Sequence, residues 1–123
     1  MSRILVVDDV TALAEQYQYD LRRIAGHEVS VATSGPAALD FLAHAVVDCI
    51  ILDLEMPGMD GFDVLRAIQH RGIELPVIVY TGTGNFDRCI QAVRLGAAGF
   101  VDKAEPMERI VQEIAGVDRK SVV

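Results

Sequence analysis

The sequence predicts an α/β fold in which a doubly wound, five-stranded parallel sheet is covered by helices on both faces. Five short apolar runs alternate with five stretches whose apolar residues recur at helical spacing. The first, third and fourth runs are apolar throughout, as in parallel strands that are buried on both sides. Right-handed crossovers between successive strands would place the helices on the two faces of one sheet.

The boundaries of the elements follow from apolar runs and capping residues. Strands are predicted at residues 3–7, 28–32, 49–53, 77–81 and 99–103, and helices at residues 10–25, 34–44, 61–69, 85–95 and 106–115. Thr11 is a possible N-cap of the first helix, and Asp60 of the third. Gly26 and Gly96 are suited to end the first and fourth helices. Gly116 and a polar tail are expected to close the chain.

Composition restricts the class of protein. A chain of 123 residues fits one domain. The net charge of −7 argues against non-specific binding to nucleic acid or to an anionic membrane. The apolar runs are far too short to span a bilayer, and no cleavable leader precedes the first strand. Cys49 and Cys89 fit buried thiols in a reducing compartment, so a cytoplasmic protein is predicted.

Polar side chains stand at the carboxyl ends of four predicted strands: Asp8, Asp9, Asp53, Thr81 and Lys103. In a doubly wound sheet the ligand site lies beyond this edge. If the first and third strands are neighbours, their carboxylates crowd together. Each pair at about 5 Å repels by roughly 3 kcal/mol at an effective dielectric constant of ~20. A cation is therefore expected at this edge.

The residue types favour magnesium and phosphoryl chemistry. An all-oxygen set of Asp carboxylates suits Mg²⁺, whereas zinc would need His or Cys. Lys103 could pair with a carboxylate or with phosphate oxygens, and Thr81 adds a hydroxyl donor. Asp53 is the natural candidate for a nucleophile that forms an aspartyl phosphate. Judged from its own stretch alone, Asp53 could equally be a strand-ending residue that initiates a turn.

Three segments carry a resemblance to a known family. Residues 6–9 (VVDD), 52–61 (LDLEMPGMDG) and 96–103 (GAAGFVDK) look like the acidic first loop, the phosphoacceptor loop and the fifth strand of the receiver domain of two-component response regulators. The resemblance covers nearly the whole chain. It implies a flavodoxin-like sheet of order 2-1-3-4-5. It also implies a receiver domain at residues 1–118, with residues 119–123 as a polar tail or the start of a linker.

The resemblance further implies a role for each acidic residue. Asp53 would be the phosphoacceptor. Asp9 and Asp53 would ligate Mg²⁺ together with the backbone carbonyl of Glu55, and Asp8 would contribute through a water molecule. The domain would then catalyse its own phosphorylation and dephosphorylation at Asp53.

The same resemblance implies how the signal is read. Thr81 and Lys103 would contact the phosphoryl group, and Phe100 matches the family's switch aromatic. The phosphoryl donor would be a sensor histidine kinase, a phosphotransfer protein or a small phosphodonor. Phosphorylation would change the face formed by the fourth helix, fifth strand and fifth helix. That face would contact an output domain or target protein, or support a phosphorylation-dependent homodimer, with no direct contact to nucleic acid or membrane.

Some positions depart from the family pattern. The family usually has Pro directly after the Lys, and its absence after Lys103 puts a cis peptide bond there in doubt. Gly82 and Gly84 predict a flexible loop, and Thr83 lacks the charge or bulk often found at that position. Glu55 adds negative charge at the mouth of the site. These departures are expected to alter the lifetime of the phosphoryl group and not its formation.

Two alternatives stand beside the receiver hypothesis. A haloacid-dehalogenase-like phosphatase also uses Asp, Mg²⁺, Thr and Lys at strand ends. It would want a second acid where Val10 stands, and a cap domain for which the chain has no room. The other alternative is an interaction module that works without phosphorylation, although such a module would be expected to have lost part of the acidic set.

Overall fold

The computed structural model describes residues 2–82 and 86–121 as one five-stranded parallel sheet with helices on both faces. The strands are β1 (Arg3–Val7), β2 (Glu28–Ala32), β3 (Cys49–Asp53), β4 (Val77–Thr81) and β5 (Gly99–Asp102). The helices are α1 (Thr11–Ala25), α2 (Gly35–His44), α3 (Gly61–His70), α4 (Phe86–Arg94) and α5 (Met107–Ser121). The strand order is β2-β1-β3-β4-β5, which confirms the predicted fold class and topology.

The sheet separates two apolar cores. Alternate side chains of a strand point to opposite faces, so each strand contributes to both cores. On one face, α1 and α5 pack against the sheet through the following buried residues: Ala14, Tyr17, Leu21, Ile110, Ile114 and Val117. On the other face, α2, α3 and α4 contribute Ala38, Leu39, Phe62, Val64, Leu65, Ile68 and Ala92. The central strands β1, β3 and β4 are consequently almost completely buried.

The predicted N-cap of α1 is wrong. Val10 occupies the cap position and Thr11 is the first helical residue. The Val10 N–H donates to Asp8 Oδ1 at 2.9 Å, so the turn before the helix is closed by the Asp8 side chain. At the other end, Gly26 has a φ of 68°, a left-handed conformation that glycine adopts without strain, and ends the helix as predicted.

The predicted end of α5 is also wrong, because the helix continues through Gly116 to Ser121. Val117 is buried and extends the apolar stripe formed by Ile110 and Ile114. Burying this valine outweighs the roughly 1 kcal/mol that an interior glycine costs a helix. The segment predicted to be a polar tail therefore begins inside α5, and the domain boundary at residue 118 stays a prediction.

The loop between β4 and α4 is described only as far as Gly82. The features predicted for Thr83 and Gly84, and the predicted helix start at residue 85, lie outside the described residues. Within the described ranges no peptide bond is cis, including the one after Lys103. No helix in those ranges is both long enough and apolar enough to cross a membrane.

Candidate functional site

Strand alternation brings four polar side chains to one corner of the sheet. Ile4 and Val6, Ile51, Ile78, and Val101 all face the core under α1 and α5. Continuing the alternation along β1, β3, β4 and β5 places these residues on the same side at the carboxyl edge: Asp8, Asp53, Tyr80 and Lys103. Asp53 and Tyr80 are register partners on neighbouring strands. The site is thus a direct consequence of period-two strands in parallel register.

The three predicted acidic ligands come together. One carboxylate oxygen from each of Asp8, Asp9 and Asp53 lies within 4.8 Å of the others. Asp8 and Asp53 are buried, while Asp9 is half-buried. Three negative charges at this spacing, two of them removed from water, need a positive charge nearby.

Lys103 supplies that charge in the structure. Its Nζ lies 3.2 Å from Asp8 Oδ2 and 3.2 Å from Asp53 Oδ2. Its backbone N–H donates to the Thr81 carbonyl oxygen at 3.0 Å, which fixes the start of the side chain just past β5. One ammonium group therefore bridges two buried carboxylates.

Burial raises the pKa of the Asp53 carboxyl above its ordinary value. Two neighbours oppose this effect: the Glu55 N–H, which donates to Asp53 Oδ1 at 3.1 Å, and the Lys103 ammonium. The negative charge of Asp8 adds to the rise. Asp53 is therefore a buried carboxylate whose negative charge is stabilised by two contacts, one with the Glu55 N–H and one with the Lys103 ammonium.

The loop after Asp53 is tightly constrained. Gly61 N–H donates to the Leu54 carbonyl at 3.1 Å, and a Cβ on Gly61 would lie 2.5 Å from the Asp53 carbonyl oxygen, so a side chain there would clash with the backbone. Asp60 caps α3, as predicted, in a reciprocal capping box with Asp63. The β3–α3 loop thus fixes the position of Asp53 from the carboxyl side.

Thr81 and Phe100 lie on the opposite face of the sheet from the Asp8 and Asp53 side chains by strand alternation. Thr81 is fully buried at the end of β4. Phe100 is half-buried and packs against the core under α2, α3 and α4. Its register partner is Val79, two residues before Thr81, so the two predicted switch residues are near neighbours on adjacent strands.

Sequence reasoning missed Tyr80. Its side chain is fully buried, and its hydroxyl donates to Asp8 Oδ2 at 2.6 Å. Its ring meets the Tyr17 ring edge to face, with centroids 4.9 Å apart. A signal was available in the sequence, since a tyrosine inside an apolar strand must bury a hydroxyl that needs a partner.

The mouth of the site has a second ion pair that the sequence did not predict. Arg88, on α4, lies 3.1 Å from Glu55 Oε1, and its guanidinium stands over the Phe62 ring at 5.3 Å. Glu55 and Arg88 line an open cleft of about 400 Å³ beside the β3–α3 loop. No motif signals Arg88, because its role depends on how α4 is placed against that loop.

The donor set fits the predicted magnesium ion. Carboxylate oxygens in one small cluster are the ligands that a hard divalent cation prefers. Glu55, whose backbone carbonyl was predicted as a further ligand, follows Asp53 by two residues and is tied to it through its N–H. The cluster and the loop that would complete it are thus adjacent.

The topology and the acidic corner define a flavodoxin-like domain with a charged site at the carboxyl edge of its sheet. Residues 4–115 match the response regulator receiver domain family, and the chain belongs to that family. This membership gives no support to the phosphatase alternative.

Several known proteins are similar to the chain. Response regulator protein FleR of Pseudomonas aeruginosa is 39% identical over 102 residues, which are 83% of this chain and 21% of that protein. Sensory transduction protein RegX3 of Mycobacterium bovis is 34% identical over 120 residues, or 98% of this chain and 52% of RegX3. Among solved structures, chemotaxis protein CheY4 of Vibrio cholerae superposes with a TM-score of 0.88 at 28% identity, covering 95% of this chain and 98% of CheY4. The chain spans only about a fifth to a half of the curated relatives' length.

Proposed function

We propose that this receiver domain is a phosphorylation-driven switch in two-component signalling, with Asp53 as the phosphoacceptor. The observation that carries the proposal is the shared ammonium of Lys103, 3.2 Å from both Asp8 and Asp53. The Lys103 ammonium can exchange its contact with one carboxylate for a contact with a phosphoryl oxygen and stay positively charged. A third carboxylate, that of Asp9, lies in the same cluster and gives the site a further oxygen ligand for a divalent cation.

The reaction is a phosphoryl transfer to an oxygen of Asp53. That oxygen forms a bond to phosphorus while the bond from phosphorus to the donor's leaving atom breaks, and the leaving group keeps the electron pair. The leaving atom is an imidazole nitrogen when the donor is a histidine kinase or phosphotransfer protein. It is an oxygen when the donor is a small acyl phosphate. Attack of water on the phosphorus later releases inorganic phosphate and restores the carboxylate.

Asp9, Asp53 and the Glu55 carbonyl would hold Mg²⁺, with Asp8 contributing through a water molecule. The bound ion supplies charge neutralisation for the transferred group. Lys103 adds a second positive charge beside Asp53, and this preorganised charge is the main way such a site lowers the barrier.

The output is a change of protein contacts. The Thr81 hydroxyl moves toward the new phosphoryl oxygens, and Phe100, now half-buried, follows into the space that opens beside β4. The face formed by α4, β5 and α5 then presents a new surface to an output domain, a target protein or a second copy of the domain. The net charge of −7 makes direct binding to nucleic acid or membrane unfavourable. We place the domain in the cytoplasm, where its thiols at Cys49 and Cys89 would stay reduced.

Intact mass spectrometry tests the proposal. The protein is incubated with acetyl phosphate and Mg²⁺, and separately with a phosphorylated histidine kinase in case small donors are rejected. The wild type should gain the mass of one phosphoryl group, and Asp53→Asn should gain none. Asp40→Asn, an exposed acid on α2, is the matched control and should behave as the wild type.

Two results would contradict the proposal. One is an unmodified wild type with both kinds of donor, which would favour an interaction module that works without phosphorylation. The other is an adduct that survives Asp53→Asn, which would place the phosphoryl group on another residue.

A further inference from the structure

The buried hydroxyl of Tyr80 has no part in the phosphoryl transfer proposed for Asp53. It donates to Asp8 Oδ2 at 2.6 Å, the short distance expected of a phenol bonded to a charged acceptor. Burial, followed by the hydrogen bond to Asp8 and then the Asp8 charge, raises the pKa of this tyrosine well above its ordinary value, so the hydroxyl stays a donor.

The hydrogen bonds of Asp8 can be counted. Oδ1 accepts from the Val10 N–H at 2.9 Å, and Oδ2 accepts from Tyr80 and from the Lys103 ammonium at 3.2 Å. Asp8 is fully buried, so a donor that leaves is not freely replaced from bulk water. A buried carboxylate that loses a charged partner is strongly destabilised unless another donor remains.

Lys103 is the partner that must leave. It divides its ammonium between Asp8 and Asp53, and a phosphoryl group on Asp53 would present new negative oxygens on the Asp53 side. Drawing Lys103 toward those oxygens lengthens its contact with Asp8. Phosphorylation of Asp53 is therefore opposed by the loss of the contact between the Lys103 ammonium and Asp8.

We infer that Tyr80 is a positioning residue whose hydroxyl holds Asp8 when Lys103 moves to the phosphoryl group, and that it thereby stabilises the phosphorylated form. The inference rests on the proposed function of Asp53. Tyr80 also shapes the path of the lysine, because the Lys103 ammonium lies 4.9 Å from the centroid of its ring. The ring is itself held in place by Tyr17.

The test compares Tyr80→Phe with wild type in two binding measurements. Phenylalanine keeps the ring, its contact with Tyr17 and its contact with Lys103, and removes only the hydroxyl. Affinity is measured for Mg²⁺ alone, and for beryllofluoride in saturating Mg²⁺ as a mimic of the phosphoryl group on Asp53. We expect a loss of about tenfold for beryllofluoride and less than threefold for Mg²⁺ alone, where Lys103 still serves Asp8. Tyr19→Phe, at an exposed position on α1, should leave both affinities unchanged.

The outcomes separate the inference from the proposed function. If wild type binds beryllofluoride and Tyr80→Phe binds it within twofold, the inference is wrong and the proposed function stands. If both affinities fall by the same factor, Tyr80 merely maintains the pocket and the inference is wrong again. If wild type binds no beryllofluoride and accepts no phosphoryl group, the proposed function fails and the inference fails with it.

A crystal structure of the wild type with Mg²⁺ and beryllofluoride gives a second readout that does not depend on the variant's folding. Tyr80 Oη should remain within hydrogen-bond distance of Asp8 while Lys103 Nζ contacts a fluorine of the bound group and no longer contacts Asp8. A structure in which Lys103 keeps its bond to Asp8, or in which Tyr80 releases it, would overturn the inference.

Discussion

The inner end and the mouth of the acidic site use the same chemistry in different surroundings. At the inner end, Lys103 pairs with Asp8 and Asp53, whose side chains are 0% and 2% exposed. At the mouth, Arg88 pairs with Glu55 at a similar distance, but that acid is 45% exposed. Water screens the outer pair more strongly than the inner one, so ion pairs at similar distances differ in energy.

The difference assigns separate tasks to the two regions. A group removed from the inner end leaves a buried charge uncompensated, so this end fixes whether the chemistry occurs. Removing a charged group at the mouth has a weaker effect on the electrostatic potential near the reacting atoms, because water screens that charge. Residues at the mouth are therefore expected to alter the rate of the reaction and not whether it occurs. Four substitutions test this division.

The largest effect is expected from Lys103→Met, which leaves Asp8 and Asp53 without their shared cation. The free energy of unfolding should fall by about 3 kcal/mol in urea denaturation with EDTA present, the low end for a broken buried pair because Lys103 is itself partly exposed. Mg²⁺ should restore part of the loss by binding only the folded protein.

Arg66→Met is the matched control for this substitution. Arg66 pairs with Asp63 at 3.2 Å on the exposed side of α3, and its removal should cost less than about 1 kcal/mol with or without Mg²⁺. Equal losses for the two variants would show that the inner end is no different from a solvent-exposed pair.

A smaller effect of opposite sign is expected from Asp53→Asn. Because burial raises the pKa of Asp53 in the folded state, the folded protein binds a proton more tightly than the unfolded chain does, and its stability falls as pH rises through that pKa. Asparagine removes this penalty. With EDTA present, we expect the variant to be more stable than wild type by about 1 kcal/mol at pH 7.

The pH dependence separates this cause from a change in packing. The gain from Asp53→Asn should shrink as pH falls, because wild-type Asp53 becomes protonated and loses the same penalty. Thermal or urea unfolding across the acidic range measures the difference. A gain that stays constant with pH would contradict the assignment to charge.

The smallest effects belong to the mouth. Glu55→Gln removes negative charge beside the phosphoryl group and should lengthen its lifetime about twofold, whereas Arg88→Ala unmasks that charge and should shorten it by a similar factor. The double variant should return close to the wild-type lifetime, since it removes one charge of each sign and leaves the net local charge unchanged. Release of phosphate from the phosphorylated protein gives the lifetimes. Equal lifetimes in wild type and Glu55→Gln would count against any role of Glu55.

Most of the fold was readable from local pattern. Nine of the ten helices and strands that the structure describes have bounds within a few residues of those predicted from apolar runs, helical spacing and Gly26. The exception is α5. The end of α5 could not be predicted from the local sequence. Gly116 favours the end of a helix, and the helix continues because Val117 is buried in the folded protein. The start of α1 depends likewise on a side chain outside the helix, that of Asp8.

The site was predictable where the strand-end rule applies. Asp8, Asp9, Asp53 and Lys103 follow strands, so the topology alone brings them together. Tyr80 lies inside a strand and reaches the site only through the length of its side chain and the register of β4 against β3. Its role needed three-dimensional placement to be seen.

The tyrosine pair beside Asp8 also places a source of intrinsic fluorescence next to the acidic site. The chain has three tyrosines and no tryptophan, so its ultraviolet emission comes from tyrosine alone. Tyr17 and Tyr80 meet edge to face next to the acidic cluster, and a carboxylate that accepts a phenol hydrogen bond quenches tyrosine emission. Tyr19, exposed on α1, contributes a steady background. We therefore expect changes at the buried carboxylates to alter the tyrosine fluorescence of the unlabelled protein.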